Sequence, residues 1–177
     1  MQIKKPAKQL GFSLIELMVV IAIIAILAGF AMPSYRAWIA NTKVRTATES
    51  ILNGMQKARS ESLLRNTPVR FSLGANSAWT VECVTATSCP DLTAPAGQVE
   101  ARSSDEGGTQ NIVINSGGNT VLVFSNLGIK STAVASQISQ VDLSLTGSDR
   151  PLRITVGAGG TVRMCDPSTG TSDPRKC

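Results

Sequence analysis

The stretch from Phe12 to Met32, FSLIELMVVIAIIAILAGFAM, constrains this chain more than any other. It is 21 residues long and carries one charge, Glu16. At about 1.5 Å per residue, a helix of that length spans roughly 30 Å, the thickness of a bilayer's hydrocarbon core. The eleven residues before it hold Lys4, Lys5 and Lys8 and no acid. Three lysines before the run and none inside it place the N-terminus in the cytoplasm, and everything after Pro33 on the far side of the membrane.

Three readings compete for the segment. One is a plain signal anchor. Another is a cleaved secretory signal with small residues at Gly29 and Ala31. The third takes the junction Gly11-Phe12 as the processing point. Glu16 decides between them. A carboxylate within an apolar span costs about 2.5–3.5 kcal/mol on insertion scales, and it needs a partner. No basic residue lies between Phe12 and Tyr35. Cutting after Gly11 would create an α-amino group at Phe12, and with it a cation.

Lys8-Gln9-Leu10-Gly11-Phe12-Ser13-Leu14-Ile15-Glu16-Leu17 resembles the class III signal of type IV pilins and type II secretion pseudopilins. The resemblance implies cleavage by a prepilin peptidase between Gly11 and Phe12, and methylation of Phe12. It implies that Glu16 pairs with a neighbouring subunit's amine during filament assembly. It also implies a single-pass inner-membrane protein with a periplasmic domain, later drawn into a filament with other pilins or pseudopilins.

Past the apolar run, the pattern changes period. Pro33 removes a backbone donor and disfavours helical geometry at Met32, so a kink is expected there. Val44, Ala47, Ile51, Met55 and Ala58 then recur at three- and four-residue steps, opposite Arg45, Glu49, Lys57 and Glu61. That is an amphipathic helix. Asn66-Thr67-Pro68 ends it. The segments expected are a leader over 1–11, a membrane or filament-core helix over 12–32, an amphipathic continuation over 33–66 and an exported β-rich domain over 67–177.

Val69–Leu73 and Trp79–Cys83 alternate apolar and polar residues around Gly74–Ser77, which reads as a hairpin. Further strands are expected at Ile112–Asn115, Val121–Ser125, Gln140–Thr146, Leu152–Val156 and Thr161–Met164. Val84–Gln110 shows no clear pattern and reads as a long loop. A long helix followed by short strands gives an α+β fold, with the helix packed on antiparallel sheet. Residues 41–81 also resemble the GspH/FimT family of H-type pseudopilins and minor pilins. The likeness rests on Ala58-Arg59-Ser60-Glu61, Asn66-Thr67-Pro68-Val69 and a strand containing Trp79. Trp79 is expected to pack in the core or hairpin rather than to hold a ligand.

Cys83, Cys89, Cys165 and Cys177 allow three disulfide pairings. The topology puts all of them outside the cytoplasm, where disulfides persist. The local pairs Cys83–Cys89 and Cys165–Cys177 are preferred, because each closes a small loop ending a strand and the second ties down the C-terminus. A zinc site lacks its usual C-x₂-C spacing. The chain has no histidine to activate a thiol or to serve as a base. No enzyme constellation, cofactor motif or metal site is found.

Near the C-terminus, Gly160 and Arg163 match part of the Gly-Arg-x-Arg of DNA-capturing FimT-type pilins, but Thr161 stands where the first arginine belongs. Arg150, Arg153, Arg163, Arg175 and Lys176 are the candidate DNA contacts, opposed by Asp149, Asp166 and Asp173. From Asp149 onward the balance is +2, thin for phosphate binding. Removing the leader's three lysines lowers the whole chain from +5 to +2. Three functions follow from the two resemblances. The first is a minor pilin that helps build a type IV pilus. The second is an H-type pseudopilin of type II secretion, and the third a DNA-binding pilin.

Overall fold

The computed structural model describes residues 11–92, 97–104 and 106–177, with Ala31 and Ala86 described by backbone alone. Residues 1–10 of the expected leader therefore lie outside the described residues. The chain divides into two units, one ending at Arg36 and one spanning Ala37–Cys177. Helix α1 (Leu14–Leu64) runs for 51 residues and carries Pro33 inside it.

In the second unit, the amphipathic stripe of α1 makes one side of the core. Val44, Ala47, Ile51, Met55 and Ala58 are wholly buried. Eight strands follow: β1 (Val69–Leu73), β2 (Trp79–Cys83), β3 (Gln98–Arg102), β4 (Val113–Asn115), β5 (Val121–Phe124), β6 (Gln140–Ser144), β7 (Leu152–Val156) and β8 (Val162–Cys165). They form two four-stranded sheets, ordered β3-β2-β1-β5 and β4-β6-β7-β8. Every pairing between neighbouring strands is antiparallel. The inward residues of both sheets join the helix stripe in one apolar cluster: Val69, Phe71 and Val81 with Leu122 and Phe124 from one, Val141, Leu143 and Ile154 from the other. The fold is α+β, as the residue pattern implies.

The helix ends by a mechanism that its sequence explains. Asn66 adopts φ 49°, the left-handed region that Asn tolerates better than most residues. The Asn66 N–H then donates to the Leu63 carbonyl at 3.4 Å, and the Thr67 N–H reaches back to the Ser62 carbonyl at 3.3 Å. These two bonds make a Schellman cap, and Pro68 prevents any continuation. Gly54 has a different task. A Cβ there would lie 2.8 Å from the Trp79 indole and 2.9 Å from the Phe71 ring. Its missing side chain lets Trp79 lie against the helix and donate from Nε1 to Ser50 Oγ at 2.9 Å. Trp79 is a core residue, 5% exposed.

The structure corrects one expectation. The stretch read as an unbroken loop from Val84 to Gln110 contains β3. This strand lies at a sheet edge and pairs with β2 alone, with a register shift between Val81 and Glu82. None of its residues is fully buried. An edge strand with no buried face has no need of apolar alternation, so the pattern that identifies the other strands is missing here.

The opposite edge of that sheet is closed by the segment after β5, in part through a side chain. Gln137 Oε1 accepts from the Val123 N–H at 2.8 Å, and its Nε2 donates to the carbonyls of Ser131 at 2.6 Å and Val134 at 2.9 Å. With the Ser131 N–H on the Val123 carbonyl at 2.8 Å and the Ile138 N–H on the Val121 carbonyl at 2.9 Å, this amide completes the pairing along β5.

Candidate assembly site

Gly11 and Phe12 precede α1 and are exposed, Phe12 by 88%. Ser13 caps the helix. Its Oγ accepts the Glu16 N–H at 3.2 Å, and its carbonyl accepts the Leu17 N–H at 3.2 Å. Ser13-Leu14-Ile15-Glu16 has the spacing of a capping box. Glu16 also sits in the first turn, where its negative charge offsets the positive end of the helix dipole. The Ser-x-x-Glu spacing is legible in the sequence as a local role for Glu16, and it was missed beside the resemblance that assigns the residue to assembly. No cation pairs with Glu16 among the described residues.

The apolar run is exposed on every side. Ile15, Val19, Ile23, Ile24, Leu27 and Phe30 all stand open, Ile24 by 58%. A helix that is apolar all round is stable only inside lipid or among other apolar helices. Divided at Ala31, neither piece of α1 is by itself long and apolar enough to cross a membrane; Leu14–Phe30 and Met32–Leu64 together meet that test by length and composition.

The C-terminal candidates are arranged differently from a single basic patch. Arg153 on β7 is held by Asp142 of β6, with Nη2 to Oδ2 at 3.1 Å as the second of two contacts. Arg175 is held by Asp173, Nη2 to Oδ2 at 2.7 Å, and its guanidinium pulls the Asp173 carboxyl down to about 2. Arg163 is exposed on β8, on the face that Arg153 and Thr155 share by register. Arg150 is exposed in the β6–β7 turn, and Lys176 is half-buried, its backbone forming an isolated parallel β-bridge with that of Asp166. Two of the five cations are thus already neutralised.

Cys83 is bonded to Cys89 and Cys165 to Cys177, with Cα–Cα distances of 6.4 and 5.0 Å. The first bond closes the loop 83–89, and two residues beyond it Asp91 joins a chain of charges on α1. Lys57 Nζ lies 3.1 Å and Arg65 Nε 2.7 Å from the Glu61 carboxylate, and Arg65 Nη1 reaches Asp91 at 2.7 Å. Burial pushes the Glu61 carboxyl up, but hydrogen bonds from Arg65 and Lys57 outweigh it and hold it below its ordinary range. Asp91 is likewise lowered by its bond from Arg65. The second disulfide pins a tail in which the Asp166 N–H also donates to the Arg175 carbonyl at 2.8 Å. Arg59, from the Ala-Arg pair, donates through Nε to the Gly128 carbonyl at 2.9 Å and so fastens the β5–β6 loop to the helix.

Comparison with known proteins places these features. The prokaryotic N-terminal methylation motif matches residues 6–32. The family described as type II transport protein GspH matches residues 47–171, most of the chain. The chain belongs to the GspH family. Similar curated proteins come from Dichelobacter nodosus. A type IV major fimbrial protein FimA is 52% identical over 48 residues, which is 27% of this chain and 29% of the relative. A second FimA and a fimbrial protein are each 46% identical over 55 residues, 31% of this chain and 34% of theirs. The chain thus spans about a third of the length of the curated relatives it matches. No solved structure matches it.

As a GspH-family protein the chain is type IV pilin-like in sequence and in fold, and the families it matches are structural proteins rather than enzymes. The methylation motif covers Gly11, Phe12 and Glu16 together with the whole exposed run. The GspH match covers the stripe of α1 from Ala47 onward, both sheets and the first three cysteines, ending before Cys177. The motif and the apolar helix fit a pilin anchored in the membrane.

Proposed function

We propose that this GspH-family chain is a minor type IV pilin, a filament subunit made as a membrane-anchored precursor with its N-terminus in the cytoplasm. A prepilin peptidase cuts it between Gly11 and Phe12 and methylates Phe12. Its apolar helix then leaves the bilayer sideways and packs among those of other subunits. The observation that carries this reading is a methylation motif joined to an apolar helix exposed on all faces. Helix packing supplies most of the association. Glu16 meets the amine of a neighbouring subunit's Phe12 and favours correct axial register. A buried ion pair contributes more to register than to net stability.

A second reading has its own support. The matched family is described as a type II transport protein, which favours an H-type pseudopilin of a secretion system. The relatives described as type IV fimbrial proteins favour the pilus. DNA capture has less behind it, since Arg153 and Arg175 are engaged by carboxylates.

Two substitutions separate the charge of Glu16 from its part in the helix start. Glu16→Gln keeps a residue suited to the third position of a capping box, whereas Glu16→Ala keeps only the backbone N–H that bonds Ser13 Oγ and loses both the side-chain capping group and the charge. Co-expression with a prepilin peptidase and mass spectrometry of the N-terminus should show all three proteins cut before Phe12 and methylated. Only the wild type should enter filaments. Filament entry by Glu16→Gln at the wild-type level would refute the assembly role of the charge.

A further inference from the structure

The chain after β5 starts a hairpin and then abandons it. Phe124 and Lys130 form an isolated antiparallel bridge, and the Ser125 N–H donates to the Ile129 carbonyl at 2.9 Å. That register sets Ser131 opposite Val123, and it would set Ala133 opposite Val121. In an antiparallel ladder every second pair exchanges both bonds, each N–H meeting the other residue's carbonyl. Val123 and Ser131 exchange one of theirs, from the Ser131 N–H to the Val123 carbonyl at 2.8 Å. The Gln137 side chain lies in the place of the other. The Val123 N–H donates to Gln137 Oε1 at 2.8 Å, and Gln137 Nε2 donates to the Ser131 carbonyl at 2.6 Å.

Beyond Ser131 the chain leaves the sheet. Residues 132–136 are exposed, and Gln137 Nε2 also donates to the Val134 carbonyl at 2.9 Å, which closes the loop on itself. The chain returns at Ile138, wholly buried, whose N–H donates to the Val121 carbonyl at 2.9 Å. Lys130 Nζ braces that return by donating to the Ile138 carbonyl at 3.0 Å. In a continued hairpin the Ala133 N–H would hold Val121 instead. At present it has a long bond to Ser131 Oγ, at 3.3 Å. Two groups on β5 therefore have two claimants each. The Val123 N–H can meet Gln137 or Ser131, and the Val121 carbonyl can meet Ile138 or Ala133.

Every group that changes partner in such an exchange finds another, so neither arrangement strands a buried backbone donor on β5. We infer that Gln137 is a latch on a two-position strap. With its amide in the ladder, residues 132–136 stand off as an exposed loop, the arrangement seen here. With the amide withdrawn, Ser131 and Ala133 close on Val123 and Val121, and the sheet β3-β2-β1-β5 gains a fifth strand. The latch holds the open position because the Gln137 amide, 6% exposed, bonds three backbone groups at once and Ile138 stays in the core. The two positions present different surfaces. A partner that grips the 132–136 loop binds the latched position alone, so its binding and the pairing of the strap oppose each other. The device lies wholly within the second unit and is independent of the filament the subunit joins.

Amide hydrogen exchange of the full chain in detergent, resolved residue by residue, tests this. Gln137→Leu keeps the bulk of the side chain and removes both bonding atoms. The Ala133 amide should then slow by about two- to tenfold, the worth of one net hydrogen bond. The Ile138 amide should speed up, since it yields the Val121 carbonyl, and the Val123 amide should stay protected as Ser131 takes it over. Adding Ala133→Pro removes the donor that closes the strap and should return Ile138 to its wild-type rate. Ala133→Pro alone costs one long bond and should leave exchange along β5 unchanged. The amide of Ile154, wholly buried on β7, reports global opening, and the changes are read relative to it. Should Gln137→Leu fail to fold, Gln137→Met carries the same test. Faster exchange at Val123 with no slowing at Ala133 means a strap that frays rather than closes, and it overturns the inference. Unchanged rates at Val123, Ala133 and Ile138 overturn it too.

Discussion

Gly54→Ala sets two effects of opposite sign against each other. Helix propensity alone says that alanine stabilises a helix interior by about 1 kcal/mol over glycine. The structure says the reverse wins. The new Cβ would sit 2.8 and 2.9 Å from two atoms of the Trp79 indole and 2.9 Å from the Phe71 ring. Carbon atoms are at ease at about 3.5–4.0 Å, so the rings must retreat by about 0.7 Å. They have little room to do so, because Phe71 and Trp79 pack together with centroids 6.1 Å apart and both lie in the core. Trp79 is also hydrogen-bonded to Ser50 on the same helix. Moving it away stretches that bond, worth about 0.5–1.5 kcal/mol. Overpacking of this kind costs about 1–3 kcal/mol. With the strained hydrogen bond added and the propensity gain taken off, the net is a loss of about 0.5–3.5 kcal/mol, which in a domain of this size lowers Tm by about 2–4 °C per kcal/mol. Thermal and urea unfolding of the full chain in detergent, followed by near-ultraviolet circular dichroism, measures it. The double variant Gly54→Ala with Trp79→Leu should recover part of the loss relative to Trp79→Leu alone, because the ring has gone. A single variant as stable as the wild type would refute the packing argument.

Other outcomes follow from the same geometry. Asn66→Gly should be neutral or slightly stabilising, and Asn66→Val should lose about 1–2 kcal/mol by unfolding assay, because φ 49° is strained for a β-branched residue. Glu61 and Asp91 have lowered pKa values, so their contribution is present above the ordinary carboxylate range and is lost as pH falls through their folded-state values. Stability should drop on acidification below about pH 4, and Glu61→Gln should flatten that limb of the pH profile. Replacing Cys83 and Cys89 by serine should cost about 2–3 kcal/mol, and it should loosen Asp91 from Arg65, seen as faster hydrogen exchange in that loop. Arg59→Met should expose the backbone of the β5–β6 loop to exchange, since its bond to Gly128 goes while most of its stem remains.

The parts of the fold that were legible are those where a periodic demand acts on consecutive residues. Val44 to Ala58 had to present one stripe to a sheet, and β1 and β2 had to present one face each, so their residues carry periods of about 3.6 and 2. β3 carried no such demand, because an edge strand with half-open faces is held by backbone bonds that any sequence can make. The grouping of strands was not legible either. β5 pairs with β1 across more than forty residues, and nothing local to either strand names the other. The closing of β5 by Gln137 is more hidden still, since it depends on where one amide lands after a long loop has folded back.

The two halves of α1 show why the candidate site was easier to find than the sheets. A striped helix tells a reader that a partner exists within the chain. A helix apolar on every face tells a reader that its partner does not, because no single sheet can cover all of it. The Phe12–Met32 run therefore announces an environment rather than a fold, and a lone carboxylate near its start is conspicuous for the same reason. The run's apolar character does not show, but its Ser13-x-x-Glu16 spacing does, that Glu16 already has work at the helix terminus. A residue with a local role and an intersubunit role is under two constraints, and only a substitution that keeps one of them can tell which the filament needs. Glutamine at position 16 is that substitution: it retains the length and hydrogen-bonding groups that suit the helix start and lacks the charge that a neighbouring amine would seek.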